Sequence, residues 1–172
     1  NFKTAHRKGV DFLSGYCAVK PAPADIVITT NGGYPLDQNA YQCPKGMSAA
    51  EATVNDGGVI IMLATCQDGH GGESYYHSIA DAESADAFFQ QCLHTPQVET
   101  LPDQWCAQIW CRIVRKYKVL FVADKAQEQL IRDLKVEYFE TLDEAYARAR
   151  ELKGPDATLT CIPNGVSVVV KD

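Results

Sequence analysis

The stretch Ala24-Asp25-Ile26-Val27-Ile28-Thr29-Thr30-Asn31-Gly32-Gly33-Tyr34-Pro35 decides the fold. Its first seven residues are rich in β-branched side chains and nearly continuous in hydrophobicity, the character of a strand buried on both faces. The Asn-Gly-Gly that follows is a turn, because glycine reaches positive φ at no steric cost. A second run, Val59 to Thr65 (VIIMLAT), repeats the pattern and empties into the glycine-rich loop Cys66-Gln67-Asp68-Gly69-His70-Gly71-Gly72-Glu73. Val119 to Ala123 is a third such run. Buried strands alternating with helical segments predict an α/β fold: a mostly parallel sheet flanked by helices in three layers.

The helices are read outward from these strands. Thr4 to Leu13 carries apolar residues at Ala5, Val10 and Leu13, and Pro21 and Pro23 mark a linker after it, so residues 1–23 read as a helix and linker ahead of the domain. Asp37 is placed to cap a helix from about Gln38, which Pro44 should end or kink, and Ser48 with Glu51 forms a capping box for a second helix through Ala52. Further helices are predicted around Tyr75 to Ile79, over Ala85 to Leu93, over Gln104 to Lys116 behind caps at Thr100 and Asp103, and over Lys125 to Leu134. The third of these has an apolar stripe of Trp105, Ile109, Trp110, Ile113 and Val114. A short strand at Val136 to Phe139 precedes a helix capped by Thr141 and ending at Gly154. Leu159 to Ile162 and Val166 to Val170 flank Asn164-Gly165, which predicts a C-terminal antiparallel hairpin.

Composition narrows the function. The 172 residues amount to about one domain. With 16 Lys+Arg against 22 Asp+Glu the net charge is −6, a balance that repels nucleic-acid backbones and anionic lipid surfaces. The longest purely apolar run, Val59 to Ala64, is six residues, against the ~20 of a membrane-spanning helix. The seven cysteines are odd in number and contain no CxxC pair. They read as ordinary buried thiols in a reducing cytoplasm, and with the four histidines they compose no zinc set. The chain opens at Asn1 directly in a helical pattern, which is the expectation for a piece of a longer protein.

Ligands of open α/β sheets bind beyond the carboxyl ends of the strands. Two glycine-rich loops stand there, Asn31 to Tyr34 and Cys66 to Glu73, and bare backbone N–H groups in such loops can approach an anion. Neither loop matches a dinucleotide or P-loop fingerprint. Tyr41, Gln42 and Lys45 fall near the same edge: lysine offers a point charge for a carboxylate or phosphate, and glutamine a donor and an acceptor. Each also reads as an ordinary surface or half-buried residue. His70 reads as a solvent-facing loop residue with general acid–base work as the alternative, and Trp105 as core packing with stacking on a planar cofactor as the alternative.

The string NGGYPLD (Asn31 to Asp37), the spacing Tyr41-Gln42-x-x-Lys45-Gly46 and GGVIIMLATCQDGHGGE (Gly57 to Glu73) resemble the C-terminal domain of the nickel-dependent lactate racemase family. The likeness is close from Ala5 to Glu73, extends to Asp103-Gln104-Trp105, and becomes general after Val119. It implies a two-domain protein with the active site between the domains and this chain, 1–172, as the C-terminal lobe. The family's cofactor is a nickel-pincer nucleotide, tethered to a lysine of the N-terminal domain. That domain also supplies the nickel's histidine ligand and two acid/base histidines. The family reaction takes the α-hydrogen of a 2-hydroxy acid as hydride and returns it to either face.

By motif, the resemblance implies that Lys45 and Gln42 contact the substrate and that Tyr41 and Trp105 contact the cofactor. It implies no catalytic acid or base and no metal ligand in this chain, no cofactor bound to the chain alone, and the protein's own N-terminal domain as partner. Cys43-Pro44 departs from the motif, where helix-friendly residues are expected. The alternative from another class is a non-catalytic or regulatory domain that binds a small anion.

Overall fold

The computed structural model describes residues 1–171. The sheet has five strands, all parallel, in the order β5-β4-β3-β2-β6: β2 (Ala24–Thr30), β3 (Val54–Leu63), β4 (Lys118–Val122), β5 (Glu137–Phe139) and β6 (Leu159–Ile162). β2 has a strand on either side, with Ile28 opposite Ile61 of β3 and Cys161 of β6. Helices α2 (Cys43–Glu51), α3 (Glu73–Ala80), α4 (Ala85–His94), α5 (Gln104–Lys116) and α6 (Glu128–Asp133) follow successive strands, and α7 (Leu142–Lys153) leads into β6.

The alternation of side chains along each strand divides the core in two. Val27, Ile60, Met62 and Phe121 face a large cluster with Met47, Tyr75, Trp110 and Ile131 of the helices. Ile26, Val59, Ile61, Leu120 and Val122 face the other way, onto Ala145 and Ala149 of α7. Burial on both faces is why these strands read as unbroken apolar runs. The three-layer α/β architecture expected from the sequence is what forms. No helix of the described residues is long and apolar enough to cross a membrane.

The C-terminal hairpin does not form. β6 pairs in parallel with β2, while β7 (Val169–Val170) pairs in parallel with β1 (Ala18–Val19) in a separate two-stranded sheet. The Asn164-Gly165 turn closes on β2 instead of on itself: Gly165 N donates to Thr30 O at 2.8 Å, and Thr30 Oγ1 donates to Pro163 O at 2.7 Å. The open edge of β2 offers a buried ladder that a two-stranded hairpin lacks. At the N-terminal side, α1 (Phe2–Cys17) outruns its expected bounds at both ends and buries no residue. Phe2, Val10, Phe12, Leu13 and Tyr16 all stand exposed along it.

The amino end of the sheet is tied by Asp25. Its carboxylate accepts Asn55 Nδ2 at 3.0 Å, Thr158 N at 2.9 Å and Thr158 Oγ1 at 2.8 Å, joining the starts of β2, β3 and β6. These donors, Asn55 first, pull its carboxyl from the ordinary 3.8 down to about 2. A depressed folded-state value stabilises the fold above the unfolded value and loses that contribution as pH falls through the folded one. Urea unfolding is therefore expected to show stability declining from pH 3.8 towards about 2, with a shallower decline in Asp25→Asn. Equal slopes would remove Asp25 from the account.

Candidate functional site

The residues after β2 fold against the loop after β3, and buried polar side chains hold them there. Asn31 is fully buried. Its Nδ2 donates to Leu36 O at 2.7 Å and to Gln42 O at 2.8 Å, and its Oδ1 accepts Gly46 N at 3.1 Å. One side chain thus shapes the loop and ties it to the first turn of α2. Asp37 does not cap a helix. It is buried, its Oδ2 accepts Thr65 N at 3.2 Å, and its carbonyl accepts Cys66 N at 3.0 Å. Asp68 N to Gln38 O, Ala40 N to Gly69 O and Tyr41 N to His70 O extend the seam.

This seam sets where helix begins. A short 3₁₀ turn, Ala40–Gln42, leads directly into α2, with Gln42 at its N-cap and Pro44 in its first turn. The expectation that Pro44 ends or kinks a helix is corrected: a proline in the first turn gives up an N–H that has no intrahelical acceptor and brings a preset φ. Ser48 likewise caps nothing. It lies inside α2, and its hydroxyl donates to Pro44 O at 2.7 Å. At Gly46 the helix presses on β2, since a Cβ there would lie 2.5 Å from Asn31 Oδ1 and 3.0 Å from Thr30 O.

Lys45 projects from the first turn of α2, exposed, with its Nζ donating to Gln42 Oε1. Tyr41, half-buried, donates its hydroxyl to Asp103 Oδ1 at 3.1 Å. Its ring meets Tyr75 edge-on at 5.5 Å and Trp105 edge-on at 6.1 Å between centroids. Burial first, and then the bond to Asp103, push the Tyr41 phenol up to about 12. Cys106 Sγ donates to Tyr41 O at 3.3 Å. The Lys45 charge also reaches Cys106, where it opposes the rise that burial imposes on the thiol. The four residues singled out from the sequence therefore share one edge of the domain.

The two tryptophans of α5 part company. Trp110 is fully buried, its Nε1 donating to Leu134 O at 2.9 Å, whereas Trp105 is 52% exposed. Core packing is thus the role of Trp110 alone, and Trp105 presents an open indole face buttressed by the Tyr41 ring. Such a pair can wall a planar group, and the ammonium of Lys45 can hold an anion. Thr100 and Asp103 provide no side-chain cap for α5: Asp103 is left-handed, with φ 61°, and its carboxylate serves Tyr41.

The other candidates have different tasks. His70 accepts Gly72 N at Nδ1, 3.1 Å away, and stacks on Tyr76 with ring centroids 5.0 Å apart. It braces the glycine loop. All seven cysteines are free thiols. Cys43, Cys66, Cys106 and Cys111 are buried, while Cys161 is exposed. Burial pushes the Cys106 and Cys111 thiols up to about 12, the wrong direction for a nucleophile. Among the described residues no three His, Cys, Asp or Glu side chains stand together to hold a metal ion. A crevice of about 320 Å³ over the ends of β2, β3 and β4 is lined by Asp37, Asp124 and Glu140 with no basic side chain. Its acidic lining suits no anion.

Sequence reasoning reads Asn31 only as the start of a turn and Asp103 only as a helix cap, and misses the bonds their side chains make. The first carries a weak signal, an amide side chain directly after a buried strand. The second carries the signal of a cap and none for Tyr41, because that partner lies 62 residues away.

The fold and this edge define a class: an open parallel α/β domain that carries a lysine–glutamine pair and an aromatic wall beside the carboxyl ends of its strands. The chain belongs to the lactate racemase C-terminal domain family, whose model matches residues 19–170. It is 47% identical over 171 residues to the lactate racemase of Lactiplantibacillus plantarum, covering 99% of this chain and 40% of that protein. To the lactate racemase of Thermoanaerobacterium thermosaccharolyticum it is 45% identical over 168 residues, covering 98% of this chain and 39% of the relative. The structure of the lactate racemase apoprotein from that organism superposes with a TM-score of 0.93 at 45% identity, over 98% of this chain and 40% of that one. The chain thus spans about two-fifths of the length of the curated relatives it matches.

Proposed function

We propose that this chain is the C-terminal lobe of a two-domain racemase or epimerase acting on lactate-type 2-hydroxy acids with a nickel-pincer nucleotide as cofactor. The observation that carries the reading is the meeting of Gln42 and Lys45 beside the Tyr41–Trp105 wall, within a family whose relatives are named lactate racemases. Lys45 binds the substrate carboxylate by a charge-assisted hydrogen bond. Gln42 orients the substrate, its amide released from Lys45 when the carboxylate takes the ammonium. Tyr41 and Trp105 bound the cofactor's planar ring and exclude water from that side of the reaction.

The half-exposed indole fits a flat ring. The nickel ligands, the tethering lysine and the acid/base pair belong in this reading to the preceding domain. When bound, the cofactor supplies a hydride acceptor for the α-hydrogen. The exposed apolar face of α1 is read as part of the connection to that domain, and the seven free thiols suit a cytoplasmic setting.

The test compares the isolated chain with a full-length protein carrying it, each given enantiopure lactate and a panel of 2-hydroxy acids. Racemisation is expected from the nickel-loaded full-length protein only. Racemisation by the isolated chain would overturn the placement of the catalytic groups, and none by the full-length protein on any 2-hydroxy acid would overturn the reading itself.

A further inference from the structure

Asp103 stands between two residues on which the proposed site depends, and its own role as a helix cap is forgone. An aspartate ahead of a helix ordinarily turns its carboxylate onto the N–H groups of the first turn. Here the side chain makes no such bond, and only the backbone carbonyl serves the helix, accepting Cys106 N at 2.9 Å and Ala107 N at 3.3 Å. The carboxylate reaches instead to the Tyr41 hydroxyl, 3.1 Å away. Its second oxygen lies 3.6 Å from the point where a Cβ on Gly72 would sit, so the contact passes over bare backbone of the glycine loop.

The backbone of Asp103 is as specific as its side chain. With φ 61° and ψ 1° it occupies the left-handed region, where asparagine and aspartate are the usual non-glycine occupants. That turn directs α5 so that Trp105, two residues on, stands edge-on to the Tyr41 ring. Flanking bonds hold the turn: Ser74 Oγ donates to Pro102 O at 2.6 Å, and Leu101 N donates to Gln104 Oε1 at 3.1 Å.

We propose that Asp103 is a positioning residue whose carboxylate fixes the Tyr41 ring and, through that ring's edge-on contact, the Trp105 ring, while its left-handed backbone sets the start of α5, making the two rings one rigid wall for a planar ligand. This rests on the proposed function for what the wall faces, but not for the wall itself. The high Tyr41 phenol value, to which the Asp103 bond contributes, agrees with a neutral donor held to a carboxylate.

The acceptor and its charge separate by substitution. Asp103→Gly keeps the left-handed backbone and removes the acceptor. Asp103→Asn keeps both and removes only the charge. The chain closes its own two-sided core, so both variants can be examined in it directly. The readouts are the ring-carbon NMR signal of Tyr41, assigned by its loss in Tyr41→Phe, and acrylamide quenching of Trp105, assigned with Trp105→Phe.

Asp103→Gly is expected to shift the Tyr41 signal and raise Trp105 quenching about twofold. Asp103→Asn is expected to leave quenching near the parent value. Tyr41→Phe, which removes the same bond from its other end, should reproduce the rise in quenching even where Asp103→Gly folds poorly. In the full-length enzyme, Asp103→Gly should lower retention of the bound nucleotide more than it raises KM for the hydroxy acid. Parent-like Tyr41 and Trp105 signals in a folded Asp103→Gly chain, or unchanged quenching in Tyr41→Phe, would overturn the proposal. Absence of racemase activity in the parent enzyme would overturn the functional reading while leaving the spectroscopic result standing.

Discussion

Lys45→Ala in a full-length enzyme carrying this domain is expected to raise KM for the hydroxy acid by about ten- to a hundredfold. A hydrogen bond involving a charged group contributes roughly 1.5–3 kcal/mol, and every ~1.4 kcal/mol is a factor of ten in binding. The ammonium is exposed and its partner is Gln42, three residues back at the N-cap of its helix. Removing it therefore leaves no buried group unpaired, and the unfolding free energy should stay within about 0.5 kcal/mol of the parent. Lys45→Arg retains the charge on a different fork geometry and should recover part of the loss. Steady-state kinetics with urea unfolding of the same samples separate the two effects. An unchanged KM in a folded Lys45→Ala enzyme rejects the carboxylate contact.

Gly46→Ala is expected to destabilise the chain by about 1–3 kcal/mol, the usual cost of forcing an atom into a packed interior. Helix propensity alone points the other way, favouring alanine by ~1 kcal/mol. Local packing decides the sign. A Cβ at this position would sit 2.5 Å from Asn31 Oδ1 and 3.0 Å from Thr30 O. Asn31 has no room to yield, because three hydrogen bonds hold its amide. Relief would come from lifting α2 off β2, which moves Lys45 and Gln42 with it. At roughly 2–4 °C per kcal/mol for a domain of this size, thermal unfolding should register the change. A variant as stable as the parent would show that the contact between α2 and β2 is looser than these distances imply.

What the sequence makes legible follows from how far each determinant reaches along the chain. The strands at Ala24 to Thr30, Val59 to Thr65 and Val119 to Ala123 are plain because burial on both faces writes itself as a continuous apolar run. The capping box at Thr141 and Glu144 is plain because both partners lie within one turn. Asp37 and Pro44 mislead together. Asp37 has the chemistry of a cap, but its carboxylate is taken by Thr65 N, 28 residues away, and the helix starts instead just before the proline.

The Asn164-Gly165 turn misleads in the same manner, since the partner of β6 is the distant β2. In the site, the pattern of residues alone leaves Tyr41, Gln42, Lys45 and Trp105 as ordinary positions. A single lysine or glutamine has no periodicity to mark it, and these four were distinguished only by likeness to a family. Asn31 and Asp103 lie inside the family-like strings, but neither route assigns their work, which is done by side-chain bonds that close over 5 to 62 residues.

The insertion of β6 beside β2 has a consequence for the order of assembly. The strand that feeds the Asn31 loop, and through it Gln42 and Lys45, is laid down near the start of the chain, but its second neighbour is made only at residues 159–162. A ribosome delivers β3, β4 and β5 first, and until the last stretch emerges, one whole row of β2 amides and carbonyls stays open to any passing strand. The clasp at Thr30, where Pro163 O and Gly165 N lock onto it, closes in the same late event. Nascent chains halted before residue 159 would hold most of the sheet, yet lack the pairing that shields the edge leading to the site.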